Sequence, residues 1–77
     1  MRKIEINKKK VGAKISQIRS DNKLSEREFA EQLGVASVCR IKKWENGEAL
    51  PSVENLISIC NNFDIRFDEL VDFYNRV

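Results

Sequence analysis

The sequence predicts an all-α domain built from five helices. In five segments, apolar residues recur at intervals of three and four, which is the period of an amphipathic helix. Short stretches that contain Ser, Asn, Gly or Pro separate the segments, and these residue types cap helices or turn the chain. With 77 residues, the chain can bury one small core and not two.

The first predicted helix runs from about Lys8 to Asp21. Asn7 precedes it and can accept hydrogen bonds from the free backbone N–H groups of its first turn. Val11, Ile15 and Ile18 form its apolar stripe. We therefore divide the chain into an N-terminal arm (residues 1–7) and a helical domain (residues 8–77). Ile4 and Ile6 alternate with charged residues in the arm, a pattern that suits an extended arm and an edge strand equally.

The second and third predicted helices are short and sharply bounded. Ser25 and Glu28 have the spacing of a capping box at the start of the second helix, and Gly34 ends it. The third helix covers about residues 37–46, and Gly47 closes it. The apolar faces predicted for the two helices are Phe29, Ala30 and Leu33 in the second, and Ile41 and Trp44 in the third.

The last two predicted helices follow Pro51. Ser52 is the expected N-cap of the fourth helix, and an apolar linker with Phe63 and Ile65 leads to the fifth. The predicted apolar stripes are Val53, Leu56, Ile57 and Cys60 in the fourth helix, and Phe67, Leu70, Val71 and Tyr74 in the fifth.

Composition argues against an enzyme and against a metal site. The chain has no histidine and only two cysteines, Cys39 and Cys60, so it lacks both the commonest general base and a tetrahedral ligand set. We therefore expect no enzymatic activity, no cofactor and no metal. No apolar run is long enough to cross a membrane and no secretory signal is present, so we expect a cytoplasmic protein with reduced, separate thiols.

The charge is distributed unevenly along the chain. Residues 1–47 hold 12 Lys/Arg and 6 Asp/Glu, a net charge of +6, whereas residues 48–77 hold 2 and 6, a net charge of −4. A basic half can bind a polyanion such as DNA, because Lys and Arg displace the counterions condensed on phosphates. The other interpretation is that the two halves attract each other, or that the lysines at 8–10 are a solvated helix start.

The second and third helices have the plan of a helix-turn-helix motif, in which the second of two crossed helices can enter the DNA major groove. The segments KLSEREFAEQLGV, KKWENG, PSVENLISIC and FDELV occur in this order. In these segments the chain resembles the lambda-repressor-like, Xre-type helix-turn-helix proteins of phages and bacteria, and the resemblance covers residues 11–74. It implies that Arg19 pairs with Glu45, and that a homodimer binds operator DNA through the third helix.

The interval from Gly34 to Gly47 is one residue longer than the family pattern. The two possible registers give different base-facing residues: Val38, Cys39 and Lys43 when counted back from Trp44, and Ser37, Val38 and Lys42 when counted forward from Gly34. We prefer the first register, because Ile41 and Trp44 anchor the helix and a turn absorbs an extra residue at little cost. Val35 and Ala36 would then lie in the turn.

The family contacts phosphates from the start of the second helix and from the loop after the third, and this chain differs at both places. Glu26 replaces a phosphate-binding Gln, and Glu48 and Ala49 occupy a loop that often carries Lys or Arg. The expected DNA-binding residues, which include these departures, are Glu26, Arg27, Ser37, Val38, Cys39, Arg40, Lys42, Lys43 and Asn46.

The chemistry of the third helix suggests a role for each of its main candidates. Val38 extends the buried stripe or contacts a thymine methyl, and Cys39 lies on one exposed face with Lys43. Arg40 can bind guanine through two hydrogen bonds, while Lys42 and Lys43 suit phosphate.

The sequence therefore predicts a transcriptional regulator of the repressor type that binds a palindromic operator in double-stranded DNA as a homodimer. The alternative is an antitoxin or a protein-interaction module that keeps the fold, binds a protein partner through the apolar tip at Val38 and Cys39, and reads little or no operator sequence. Phe73 and Tyr74, near the end of the fifth helix, either form the dimer interface or pack in the core.

Overall fold

The computed structural model describes residues 6–71, and within that range it contains five helices and no strand. The predicted all-α fold is confirmed. Most of the predicted arm, together with Phe73 and Tyr74, lies outside the described residues. The helices are α1 (Lys8–Asp21), α2 (Glu26–Leu33), α3 (Val38–Glu45), α4 (Val53–Phe63) and α5 (Phe67–Leu70).

Three helices begin at a side chain that accepts backbone hydrogen bonds. Asn7 Oδ1 accepts from the N–H groups of Lys9 (3.0 Å) and Lys10 (3.1 Å), and Ser52 Oγ accepts from Asn55 N–H. At α2, Ser25 Oγ accepts from Glu28 N–H (3.1 Å), and Ser25 N–H donates to Glu28 Oε1 (2.8 Å). That backbone donor lowers the pKa of the Glu28 carboxyl below its ordinary value. The sequence therefore set these helix starts locally.

The core lies where α1, α2, α3 and α4 meet. The predicted stripe of α1 and the predicted pair on α3 are both buried, and the Phe29 ring of α2 stacks on Phe63 at a centroid distance of 5.4 Å. The buried apolar residues are Val11, Ile15, Ile18, Phe29, Ala30, Ile41, Trp44, Leu56, Ile59, Leu70 and Val71.

The predicted face of α4 was wrong in part. Leu56 is buried as expected, but Val53 and Ile57 are 64% and 45% exposed, and Ile59 is fully buried in their place. The 3.6-residue period fits either of two overlapping stripes on this apolar helix. Packing against the other helices selects the stripe that contains Ile59.

The ends of α4 and α5 also differ from what the apolar spacing predicted. Cys60 is partly buried and packs against the edge of the core, rather than within it. The helix α5 ends at Leu70, and Val71 has an extended backbone (φ −119°, ψ 113°) although its side chain is buried. Tyr74, which the pattern assigned to the same helix, lies outside the described residues.

Gly12 allows α1 and α3 to approach closely. A Cβ atom at this position would collide with the carbonyl oxygens of Trp44 and Glu45, which are backbone atoms at the end of α3. Backbone cannot move aside as a flexible side chain can. The spacing pattern did not single out Gly12, because glycine has no apolar side chain to count in a stripe.

We expect Gly12→Ala to destabilise the protein by about 2 kcal/mol. Overpacking against backbone costs about 3 kcal/mol, and the higher helix propensity of alanine returns about 1 kcal/mol. Urea denaturation would measure the free energy of unfolding. Ser20→Ala, on the exposed side of the same helix, is the control and should change stability by less than about 0.5 kcal/mol. Equal stability of wild type and Gly12→Ala would contradict the close approach.

Asp64 ends α4 in the left-handed conformation (φ 53°, ψ 51°), which costs an L-residue free energy. Its carboxylate also lies at the negative end of the helix dipole. We expect Asp64→Gly to raise the free energy of unfolding by about 0.5–1 kcal/mol, measured by urea denaturation. Asp64→Ala, which also removes the charge but keeps the Cβ atom, should gain less, because alanine tolerates the left-handed conformation less well than aspartate. A similar gain from both variants would assign the effect to charge alone.

Candidate nucleic-acid interface

The turn between α2 and α3 fixes where the exposed helix begins. Gly34 adopts the left-handed conformation (φ 72°), and its N–H donates to the carbonyls of Ala30 and Glu31. Val35 N–H donates to the same Ala30 carbonyl at 2.8 Å, which completes a Schellman motif. The chain then passes through Ala36 to the helix cap at Ser37.

The helix α3 therefore begins at Val38, and Val35 and Ala36 lie in the turn. This is the arrangement expected for the register counted back from Trp44. Val35 is partly buried against the core, so the extra residue of the turn is held in place.

The inner face of α3 holds the helix against the domain, and its outer face is free. Ile41 and Trp44 are 0% and 3% exposed. No carboxylate among residues 6–71 forms an ion pair with Arg40, Lys42 or Lys43. The exposed residues at the two ends and on the outer face of α3 are Ser37, Cys39, Arg40, Lys42, Lys43 and Asn46. The helix thus presents three cations, free of any described carboxylate partner, to solvent.

Val38 occupies an intermediate position at the start of α3. Its side chain is partly buried and packs against the core, three residues before Ile41 on the same side of the helix. The exposed thiol of Cys39 is free, and it begins the outer face. Of the two residues in the predicted apolar tip, Cys39 is exposed and Val38 is partly buried, so the tip offers less apolar surface than the sequence suggested.

The start of α2 combines opposite charges. Arg27 is exposed, whereas Glu26 is partly buried at the first helical position. The hydrogen bonds that Arg19 donates to Glu45 and, to a smaller extent, the negative charges of Glu45 and Glu26 raise the pKa of Arg19 above its ordinary value, although burial opposes this. The Glu26 carboxylate thus lies within electrostatic reach of Arg19.

Arg19 of α1 binds the end of α3 and the chain before α2. Its Nε donates to Glu45 Oε2 at 2.7 Å and one terminal nitrogen donates to Glu45 Oε1 at 3.0 Å. The other terminal nitrogen donates to the Leu24 carbonyl at 3.0 Å. The Arg19 and Glu45 side chains are 22% and 9% exposed, so little water competes for these bonds. The arrangement fixes both helices of the motif relative to α1.

We expect Glu45→Ala to destabilise the protein by about 2 kcal/mol, because it leaves Arg19 partly buried without a carboxylate. The matched control is Arg66→Ala. It removes a pair with Asp68 whose side chains are 78% and 62% exposed, and should cost less than about 0.5 kcal/mol. Thermal and urea unfolding of both variants would measure the difference. Equal losses of stability in the two variants would show that partial burial of the Arg19–Glu45 pair adds nothing to its contribution.

The described residues offer little else for chemistry. Both cysteines are free. Burial raises the pKa of the Cys60 thiol, and the charge of Glu69 makes a smaller contribution in the same direction. Across residues 6–71, His, Cys, Asp and Glu form no group of three that could hold a metal ion. None of the helices described is long and apolar enough to cross a membrane.

One contact near the interface was missed by the sequence analysis. A Cβ atom built on Gly47, in the loop after α3, would lie 2.8 Å from Lys9 Cγ and 3.0 Å from Lys9 Cα. The first turn of α1 therefore lies against this loop. No spacing rule reveals the contact, because 38 positions separate the two residues in sequence.

Comparison with known proteins identifies relatives of the whole motif. A family model described as helix-turn-helix matches residues 15–70. The HTH-type transcriptional activator BcrR of Enterococcus faecalis is 38% identical over 58 residues, which cover 75% of this chain and 28% of BcrR. The cryptic phage CTXphi transcriptional repressor RstR of Vibrio cholerae is 42% identical over 43 residues, which cover 56% of this chain and 38% of RstR. The aligned part of this chain thus spans less than two fifths of the length of either relative.

The solved structures with a similar fold include the following two. The P22 c2 repressor protein, in complex with a synthetic operator, superposes with a TM-score of 0.74 at 26% identity, covering 83% of this chain and 96% of the repressor chain. The restriction-modification controller protein C.AhdI of Aeromonas hydrophila superposes with a TM-score of 0.73, covering 82% of this chain and 94% of its own. Its identity of 24% shows the fold alone.

Proposed function

Because the chain belongs to the lambda-repressor-like helix-turn-helix family, we propose that it binds double-stranded DNA and regulates transcription. The observation that carries this proposal is the outer face of α3. Three exposed cations, Arg40, Lys42 and Lys43, are free of described carboxylate partners, while Ile41 and Trp44 hold the opposite face in the core. A rigid helix with one basic face suits the major groove of DNA.

The outer face provides two kinds of contact. Lys42 and Lys43 bind phosphates, which supply affinity without sequence information. Arg40 has the donors for a bidentate contact with guanine, and Cys39 and the exposed part of Val38 contact base edges or a thymine methyl. Ser37 and Asn46 lie at the two ends of the helix, where a hydroxyl and an amide can donate to phosphate oxygens.

The start of α2 has a smaller part in this proposal. Arg27 is exposed and suits a phosphate, whereas the Glu26 carboxylate repels one. Arg27 is therefore the phosphate contact that we assign to the start of α2.

We further propose that two copies bind a palindromic operator and repress by occupying it. A two-fold symmetric dimer places its two α3 helices about one helical turn of DNA apart, or roughly 34 Å. The names of RstR and the P22 c2 repressor support repression, whereas BcrR is named as an activator. A protein that regulates bacterial or phage genes in this way acts in the cytoplasm.

The second candidate is a protein-interaction module or an antitoxin. The exposed side chains of Val53 and Ile57, one turn apart on α4, favour contact with a protein. Glu48, exposed in the loop after α3, also lowers the attraction for phosphate. The partly buried Val38 weighs against docking at the tip of α3, because it leaves less apolar surface there.

We expect the purified protein to enrich an inverted repeat from random duplex DNA, with an affinity that falls steeply as salt rises. Lys43→Ala should lower the slope of log affinity against log salt by about 0.9 per protomer, as expected for one lost phosphate contact. Arg40→Ala should weaken binding by about 1–3 kcal/mol and relax the sequence preference, because it loses a bidentate base contact.

The control is Lys23→Ala, an exposed lysine in the turn after α1. It should leave both the slope and the selected sequence unchanged. Enrichment of no sequence, together with weak binding that the α3 variants do not alter, would overturn DNA reading and favour the protein-interaction module.

A further inference from the structure

We infer that Lys8 and Lys9, in the first turn of α1, form a second phosphate-binding element beside α3. The inference rests on the proposed function and extends the DNA interface beyond the helix-turn-helix motif. It addresses a specific gap, since the loop after α3 carries Glu48 and Ala49 and has no cation of its own.

Position is the first argument. Lys9 packs against Gly47, and Gly12, one turn after Lys8 on the same face of α1, lies against the carbonyls of Trp44 and Glu45. Residues four apart in a helix lie on the same side. Lys8 and Lys9 therefore both lie beside the C-terminal end of α3.

The outer face of α3 leads directly to these lysines. Cys39 and Lys43 are four residues apart and share the outer side of α3, and Gly47 follows the end of that helix. Because Lys9 contacts Gly47, it places a cation just beyond the end of α3. A DNA strand that passes Lys43 and continues beyond the end of α3 has its next phosphates beside the first turn of α1.

Charge and exposure are the second argument. Lys8 and Lys9 are exposed, and no ion pair within residues 6–71 includes either of them. Their ammonium groups are available, whereas the backbone N–H of Lys9 is already bonded to Asn7. Two cations at the positive end of the α1 dipole also repel it, so α1 itself gains nothing from them.

The competing explanation is structural. The side chains of Lys8 and Lys9 start beside the negative end of the α3 dipole, and their charges could instead stabilise that helix. The two explanations differ in what substitution changes: phosphate binding predicts a loss of DNA affinity, and helix stabilisation predicts a loss of folding stability.

The test compares two double variants of the same helix. Lys8→Gln with Lys9→Gln removes the proposed element. Lys10→Gln with Lys14→Gln makes the same charge change on the strip of α1 that also contains Ala13 and Gln17, away from α3. Binding to the selected operator duplex is titrated against salt, and melting temperatures are measured for all three proteins.

The inference predicts that the first variant lowers the salt slope by about 2 per protomer, with a loss of affinity of roughly tenfold or more at moderate salt. Its selected sequence and melting temperature should match those of the wild type, because phosphates carry no sequence information. The second variant should bind with nearly the wild-type slope.

Three results would overturn the inference. Equal losses in both variants would assign the effect to net charge. A wild-type slope in the first variant, with a lower melting temperature, would assign Lys8 and Lys9 to the end of α3. Absence of salt-dependent DNA binding by the wild type would overturn the proposed function along with it.

Discussion

The close contact of α1 with the end of α3 is the constraint on which the rest of the structure depends. It needs Gly12, because any larger residue would meet the Trp44 and Glu45 carbonyls. Once the backbones approach this closely, Arg19 reaches Glu45 with two hydrogen bonds and Leu24 with a third. The inner face of α3 is then fully used for packing and ion pairing, and only its outer face remains to meet a ligand.

The same contact determines how charge is presented. Arg19 belongs to the basic half of the sequence, but its charge is paired with Glu45 inside the fold. Arg19 also lies within electrostatic reach of Glu26 at the start of α2. The three cations on α3 stay unpaired within the described residues. A net charge of only +2 is therefore compatible with a strongly basic face, because the acidic residues of the C-terminal half lie on other elements. The binding of a polyanion depends more on the local arrangement of charges than on the net charge of the protein.

The departures from the family pattern become coherent when the neighbours of each residue are considered. Val35 is packed into the lengthened turn, so the extra residue leaves the anchoring of α3 by Ile41 and Trp44 intact. The carboxylate of Glu26 is within electrostatic reach of Arg19. The loop after α3 lacks its own cation, yet Lys9 lies against it. The lengthened turn and the loop after α3 are thus each packed against other parts of the fold.

The sequence by itself determined the five helices, their caps and most of the core, because capping bonds and apolar periodicity are local properties. It could not choose the buried face of α4: Val53 and Ile57 have the same spacing as the true stripe, and only the packing of α4 against the other helices excludes them. Nor could it show that Gly12 meets the end of α3, or that Lys9 meets Gly47. These contacts depend on the distance and angle between whole helices, which tertiary packing alone decides.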